Sequence, residues 1–327
     1  MNRIVAAVAG LVLASIATAP AVAARCAMTP PERDWVEGSL RAWQLVSIKR
    51  LKLPSYRQPT IVVFDARCRF ERTTGAWKAE PHKGQIRIPD GGQVPARVTS
   101  FAGGDDATGP FFVMALPSIW EAANIPISGD MKGLTGVFLH EFSHTRQVPA
   151  LQPRFRAAAA RFKPPENLDD DAIQKLFGKD PAYLAVVEKE NRLLYEAAHE
   201  PDDAKARQLA GQALALIEAR QKRWFTGPNE LWKAYDDIFL SMEGAGQWVA
   251  YAWLADPQGG RLAAADAERK MRGKRNWWSQ DEGLSLVLIL DRFVPDWPQR
   301  MFAAPGALGI DLLREAAATP GSTKAAA

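Results

Sequence analysis

The chain has 327 residues, and its 41 Lys and Arg against 37 Asp and Glu leave a formal net charge of +4. With 47% hydrophobic residues, the composition is that of a globular protein and excludes a wholly disordered chain. The small charge excess forms no basic block and gives no sign of a nucleic-acid partner. Two Cys among 327 residues exclude a zinc ribbon or a multi-cysteine framework.

Residues 1–24 have the pattern of a secretion signal. Arg3 supplies a positive charge, the apolar run 4–19 follows, and small residues end at Ala23 and Ala24, where we expect cleavage. The run is shorter than the roughly 20 apolar residues that cross a bilayer. We therefore expect a periplasmic or secreted protein with no stable membrane insertion after cleavage.

Cys26 and Cys68 are the two cysteines of the chain. An oxidising compartment favours a disulfide between them, which would tie the start of the mature chain to the strand region 61–65. The alternative is two unpaired thiols, since spacing alone does not establish the geometry.

Strands are predicted first along the chain and helices afterwards. After a short helical stretch at about 31–51, residues 25–130 form a strand-rich subdomain, with predicted strands at 60–64, 85–88, 94–101 and 111–116. Residues 131–316 are predicted as helical, with helices at about 131–147, 180–199, 203–224, 230–254 and 284–293, and a disordered tail at 317–327. This order indicates an α+β fold. The strand at 111–116 fits either a sheet edge able to pair with a peptide or an interior position.

The predicted helix 131–147 contains the motif His140-Glu141-Phe142-Ser143-His144. Residues four apart share one helix face, so His140 and His144 can bind one metal ion. Zinc lowers the pKa of a water that it binds, and Glu141 is placed to accept the proton as a general base. The motif predicts a zinc site with two histidine ligands.

A third protein ligand is needed, and the helix at 230–254 offers Glu243. Glu243, Gly244, Gly246 and Trp248 resemble the ligand helix of gluzincin metallopeptidases, in which a Glu on a later helix completes the site. The resemblance implies a zincin-like fold with the metal cleft between the two subdomains. Gly244 and Gly246 would let this helix approach the motif helix closely.

The interval between the two motifs is long for a gluzincin. Residues 150–226 are therefore predicted to be a helical insertion, with a possible role as a lid. Its helices carry Glu188 and Glu190, which are alternative third ligands. The absence of a third His soon after His144 excludes the three-histidine metzincin arrangement.

Supporting residues of the site are also predicted. Gln247 lies one turn after Glu243 and would orient a ligand histidine. Tyr251, two turns after Glu243, is the first candidate for stabilising the oxyanion, and the alternatives are Tyr195, His199 and Tyr235. The acidic run 169–171 is expected to be a solvated helix start.

The sequence therefore predicts an exported zinc-dependent hydrolase, a metallopeptidase acting on a peptide or protein substrate. The alternative is a non-catalytic periplasmic module that binds zinc or peptides on a zincin-like fold. Glu141 argues against this alternative, because a structural zinc site needs no general base and is closed by a fourth protein ligand.

Overall fold

The computed structural model describes residues 26–56, 58–165, 168–273 and 275–318. The predicted secretion signal at 1–24 lies outside these ranges, as do residues 319–327 of the predicted tail. The described chain has the predicted α+β organisation, in which a mixed sheet near the N-terminus precedes a largely helical part. In the described part of the chain, no helix is both long and apolar enough for a transmembrane span.

The strands lie between residues 60 and 115 in chain order: β1 (Thr60–Phe64), β2 (Cys68–Arg72), β3 (Lys78–Pro81), β4 (Gln85–Arg87), β5 (Gln93–Pro95), β6 (Ser100–Gly103) and β7 (Phe111–Ala115). The helices before residue 180 are α1 (Pro30–Leu45), which continues as a π-helical turn (Val46–Arg50), then α2 (Pro117–Ala123), α3 (Met131–Arg161) and α4 (Ala172–Phe177). The later helices are α5 (Pro181–His199), α6 (Asp203–Trp224), α7 (Leu231–Ala255), α8 (Ala264–Arg272), α9 (Trp278–Phe293), α10 (Trp297–Phe302) and α11 (Gly309–Ala318), with a short 3-10 turn at Gly227–Asn229 before α7.

Five strands form one sheet in the order β3-β2-β1-β7-β6, and β4 and β5 form a separate hairpin. Strands β1 and β7 are parallel, with Ile61 opposite Phe112, whereas the other pairs in the sheet are antiparallel. All five residues of β7 are buried, since β7 lies between β1 and β6. The structure therefore gives the predicted strand at 111–116 an interior position and makes β6 the edge strand beside it.

A disulfide joins Cys26, just before α1, to Cys68, the first residue of β2. The Cα atoms of the two residues are 5.7 Å apart, and the bond closes a sequence separation of 42 residues. The predicted pairing is present, and it connects the start of the described chain to the strand antiparallel to β1.

Helix α3 packs on the sheet through aromatic side chains. The ring of Phe112 on β7 contacts Phe138 and Phe142, with ring centroids 4.7 and 5.2 Å apart. Asp130 caps the helix by accepting a hydrogen bond from the backbone N–H of Gly133 at 2.9 Å. Because these aromatic residues lie on the sheet side, the opposite face of α3 is available to the later helices.

The prediction that α3 ends before Pro149 is wrong, because the helix continues to Arg161 through Pro149 and Pro153. A proline inside a helix removes a backbone hydrogen bond, which costs about 3 kcal/mol in an isolated helix. Here the segment after Pro149 is held by packing, since Ala150 and Leu151 are each 1% exposed. The predicted insertion boundary at residue 150 therefore falls inside a continuous helix.

The predicted hairpin of helices 180–199 and 203–224 is formed by α5 and α6, and it packs against α9 and α11. A buried ion network holds the hairpin to α7: the guanidinium of Arg220 lies 2.8 Å from the carboxylate of Glu190 and 3.2 Å from that of Asp236. The phenol of Tyr183 accepts a further hydrogen bond from Arg220 at 2.8 Å. These helices are thus joined to the helical core by buried contacts.

Candidate metal centre

His140 and His144 lie one turn apart on α3 and turn their rings toward α7. Their Nε2 atoms are 3.1 Å apart, the two rings stand almost perpendicular, and each residue is only 5% exposed. Packing of the sheet face of α3 directs these two side chains away from the sheet. The helical spacing of the motif therefore produces the paired imidazoles that the sequence predicts.

Glu243 on α7 completes a triangle with the two histidines. Its Oε2 lies 3.0 Å from Nε2 of His140, and its Oε1 lies 3.4 Å from Nε2 of His144. Glu243 is 5% exposed, so the carboxylate is largely removed from solvent. Although 99 residues of sequence separate Glu243 from His144, the close packing of α3 against α7 brings them together.

The distances between these donor atoms can be compared with those of a metal site such as that of zinc. With bonds of about 2.0–2.1 Å, the donors of a tetrahedral zinc site lie roughly 3.3 Å from one another. Here the two Nε2 atoms are 3.1 Å apart, and the two carboxylate oxygens of Glu243 each face one ring, Oε2 at 3.0 Å from His140 and Oε1 at 3.4 Å from His144. Two imidazole nitrogens and one carboxylate are also a donor set that zinc prefers, and they leave one tetrahedral position for a non-protein ligand.

The electrostatics of the triangle favour a positive charge between its members. Burial raises the pKa of Glu243, but the charges and hydrogen bonds of His140 and His144 outweigh this and hold the pKa well below its usual range. Burial lowers the pKa of His144, yet its hydrogen bond to Glu243 and the negative charge of that residue raise the pKa to about 9. A divalent cation would satisfy the same preference without a proton on the ring.

Glu141 belongs to the same cluster. A carboxylate oxygen of Glu141 and one ring nitrogen from each histidine lie within 4.8 Å of one another, a grouping that can hold a metal ion. The residue is partly exposed, whereas His140 and His144 are buried. Burial raises the pKa of the Glu141 carboxyl, and the charges of both histidines oppose that change. The carboxylate therefore lies beside the triangle without being one of its corners.

The two predicted close-contact glycines of α7 face different helices. An added Cβ on Gly246 would lie 2.9 Å from Nδ1 of His140 and 3.0 Å from Cε1 of His144. An added Cβ on Gly244 would instead lie 2.4 Å from the backbone oxygen of Gly283 on α9. Gly246 thus makes room for the two imidazoles, while Gly244 permits the close crossing of α7 and α9.

Gln147, and not Gln247, is the glutamine that the structure places against the ring of His144. The Oε1 atom of Gln147 lies 2.6 Å from Nδ1 of His144, so this amide can accept the second ring proton and present Nε2 to the site. Gln247 instead donates a hydrogen bond to Gln280 at 2.7 Å. Sequence reasoning missed Gln147, although its spacing three residues after His144 on one helix is the signal that identifies it.

The structure does not bring Tyr251 to the histidines. Its side chain lines a separate cleft of about 840 Å³ together with Tyr195 and His199. Tyr235, the remaining predicted alternative, packs in an aromatic cluster, with its ring centroid 6.1 Å from that of Phe239. Tyr251 as the oxyanion-stabilising residue stays a prediction.

The alternative third ligands are also placed elsewhere. Glu190 is fully buried and forms an ion pair with Arg220 at 2.8 Å. Glu188 is exposed and lines the same cleft as Tyr251. Of the three glutamates that we considered, Glu243 is the one whose carboxylate the structure places beside the two imidazoles.

Asp170 is a neighbour of the site that the sequence did not identify. Burial and the negative charges of Glu243, Asp171 and Glu141 raise the pKa of Asp170 to about 7. The run 169–171 does precede α4, as expected, and Asp171 is its N-cap residue. The expected solvated helix start would expose Asp170 to water. Asp170 is instead partly buried and close enough to the cluster to feel its negative charges.

Comparison of this chain with protein-family models, with curated proteins and with solved structures finds no match. The site is therefore defined by its own geometry: a buried His140-Glu141-His144 group on α3 that can hold a metal ion, with Glu243 beside it.

Proposed function

We propose that this protein is an exported zinc-dependent hydrolase, a metallopeptidase of gluzincin type. One observation carries the proposal. The Nε2 atoms of His140 and His144 are 3.1 Å apart, and each lies within 3.4 Å of one carboxylate oxygen of Glu243, with the carboxylate of Glu141 beside them. Three protein ligands plus a neighbouring base are the arrangement of catalytic zinc sites, whereas structural sites are closed by a fourth protein ligand.

The roles of the residues follow from their positions. His140, His144 and Glu243 would hold the ion, which when bound supplies Lewis acidity that polarises a carbonyl and acidifies water. Glu141 would accept the proton lost during attack on the peptide carbonyl and would then donate it to the departing amine. The hydrogen bond between Gln147 and Nδ1 of His144 would keep that ring in the orientation that the ligand role needs.

The edge strand supports a peptide substrate. Among the described residues, strand β6 (Ser100–Gly103) pairs with β7 alone and packs near α3, so its outer edge is a place where an extended peptide can add as a further strand. Its four residues are all partly exposed. A peptide substrate would therefore pair with β6. It would not pair with β7, because β7 lies between two other strands of the sheet.

The cellular location is part of the proposal. The disulfide between Cys26 and Cys68 is consistent with an oxidising compartment. The residues of the predicted secretion signal would direct the chain there, and we propose a periplasmic or secreted enzyme.

Metal analysis of the purified protein, combined with profiling against a peptide library, tests the function. We expect about one zinc ion per chain and cleavage that a chelator abolishes and added zinc restores. Glu141→Gln should keep the zinc and lower the cleavage rate by roughly 10²–10⁴-fold, the usual contribution of general acid–base catalysis. The matched control is Glu121→Gln, an exposed glutamate on α2, which should cleave at the wild-type rate.

Three outcomes would contradict the proposal or the role that it assigns to Glu141. A protein that binds no zinc would remove the metal centre itself. A zinc-loaded protein that cleaves no peptide would instead support the non-catalytic binding module. Loss of activity in Glu121→Gln as well as in Glu141→Gln would show a general effect of charge removal.

A further inference from the structure

A second groove lies between α5 and α8, apart from the metal centre. It has a volume of about 840 Å³, and none of the proposed metal ligands lines it. Its α5 wall extends from Glu188 to His199, which at 1.5 Å per residue is roughly 16 Å of helix. Tyr251 of α7 and Leu288 of α9 complete the lining. The groove is therefore long, and a small inorganic ion would fill little of it.

The buried part of the groove presents hydrogen-bond acceptors that lack donors. Asn191 is 2% exposed, and its Oδ1 has no hydrogen-bond partner among the described residues. Glu268 is 7% exposed; its Oε2 lies 2.8 Å from Nε2 of His199, while its Oε1 has no hydrogen-bond partner in the described chain and lies 3.7 Å from the guanidinium of Arg272. Buried polar atoms are nearly always paired in folded proteins, so Oδ1 of Asn191 indicates a ligand that donates a hydrogen bond, with Glu268 as a second acceptor beside it.

The outer part of the groove presents cationic and aromatic groups. Arg192, whose side chain is 62% exposed, has its nearest carboxylate oxygen, that of Glu196, at 3.9 Å. Arg269 and Arg275 also line the groove, but their guanidinium groups are paired with Asp266 and Asp281, so Arg192 is the rim arginine with the weakest carboxylate contact. The ring of Tyr195 is 41% exposed. Guanidinium groups form bidentate hydrogen bonds with carboxylates, so Arg192 is suited to an anionic group.

We propose that this groove is a second binding site, which holds an extended peptide that carries a carboxylate. The backbone N–H groups of the peptide would donate to Oδ1 of Asn191 and to Glu268, and its carboxylate would bind the arginine rim at Arg192. An extended chain covers about 3.3 Å per residue, so roughly 16 Å of groove accommodates about five residues. The site needs no metal ion, and the proposal stands or falls separately from the hydrolytic function.

Calorimetric titration of the full chain tests this site without interference from cleavage. The protein is the Glu141→Gln variant, with and without zinc, and the probe is N-acetylated penta-alanine with a free carboxylate, compared with its C-terminal amide. We expect one peptide per chain at equal affinity with and without zinc. The amide should bind about tenfold more weakly, because a hydrogen bond to a charged group is lost.

Two variants in this background assign the contacts. Arg192→Gln should weaken binding of the acid by roughly tenfold, whereas Lys189→Gln, which removes an exposed charge from the same helix outside the groove, should leave it unchanged. Asn191→Leu should abolish the binding without lowering the melting temperature, because the change removes a buried acceptor that has no partner.

The proposal is overturned if neither peptide binds, or if Lys189→Gln weakens binding as much as Arg192→Gln does. Tighter binding of an uncharged trisaccharide than of the acetylated peptide would also overturn it, since the groove would then be a carbohydrate site. Binding that appears only with zinc would place the peptide at the metal centre instead.

Discussion

Replacing Gly246 by alanine tests whether the two imidazoles hold a metal ion. The new Cβ would lie 2.9 Å from Nδ1 of His140 and 3.0 Å from Cε1 of both His140 and His144. Non-bonded carbon atoms prefer separations of about 3.5–4.0 Å, so the rings must move by roughly 0.5–1 Å. Metal–ligand distances tolerate only about 0.2 Å, and the displacement therefore falls on metal affinity.

The size of the effect follows from the strain. Overpacking of this kind costs about 1–3 kcal/mol, which corresponds to a loss of roughly 5–150-fold in zinc affinity if the strain is carried by the metal-bound state. The zinc-free protein should be less affected, because its imidazoles can turn away and alanine is a better helix former than glycine by up to about 1 kcal/mol.

Gly136→Ala is the matched control for Gly246→Ala. Gly136 is a buried helical glycine on α3, and its added Cβ would meet Met271, Ala250 and Leu254 at 3.6–3.8 Å, which is ordinary contact. We expect Gly136→Ala to raise stability by about 0.5–1 kcal/mol and to leave zinc affinity unchanged. Competition titration against a chromophoric chelator measures the affinities, and thermal unfolding with and without zinc measures stability. Wild-type zinc affinity in Gly246→Ala would refute the placement of the ion between these rings.

Three further predictions concern the fold. Gly244→Ala places a Cβ 2.4 Å from the backbone oxygen of Gly283, and a backbone atom cannot move aside as a side chain can. We expect the free energy of unfolding, measured by thermal unfolding, to fall by about 1–3 kcal/mol. An unchanged melting temperature would contradict this. Replacing Cys26 and Cys68 by serine opens a sequence separation of 42 residues and should lower the free energy of unfolding in urea by about 4 kcal/mol, as loop-closure entropy predicts; equal stability of the two forms would show that the bond does not constrain the unfolded chain. Burial and a neighbouring carboxylate raise the pKa of Asp237 to about 7, so the folded state binds this proton more tightly than the unfolded chain does. The free energy of unfolding should therefore fall as the pH rises through 7. Asp237→Asn should match wild type at pH 4 and be more stable at pH 8, and the reverse order would show that the fold stabilises the carboxylate.

The grouping of His140, Glu141 and His144 could be predicted from sequence because a helix converts a spacing of four residues into a shared face. No tertiary information is needed to place His140 above His144, and the same local rule gives the helices at 180–199 and 203–224. The observed N-termini of these two helices agree with the predicted ones, because the side chains of Asp180 and Asp202 cap them. Local patterns thus account for most elements of the α+β fold.

Contacts between residues on different helices could not be predicted from the sequence, because the packing of the helices determines them. The sequence predicted Glu243 as the third ligand because small residues lie next to it in the chain. Only the crossing of α3 and α7 determines that the carboxylate of Glu243, and not that of Glu190, lies beside the imidazoles. The same crossing directs Gly246 to the histidines and leaves Gly244 for α9, a distinction that the shared motif does not contain.

By itself, then, the sequence determined the helical spacing of the motif and the order of strands before helices, because each depends on neighbouring residues. It favoured the cysteine pair, which the structure then established. Only the tertiary structure decided that α3 continues past Pro149 and that Gln147, not Gln247, contacts His144. The physical reason is that contacts between distant segments are set by how complete helices pack, and burial can outweigh a local rule such as the helix-breaking tendency of proline.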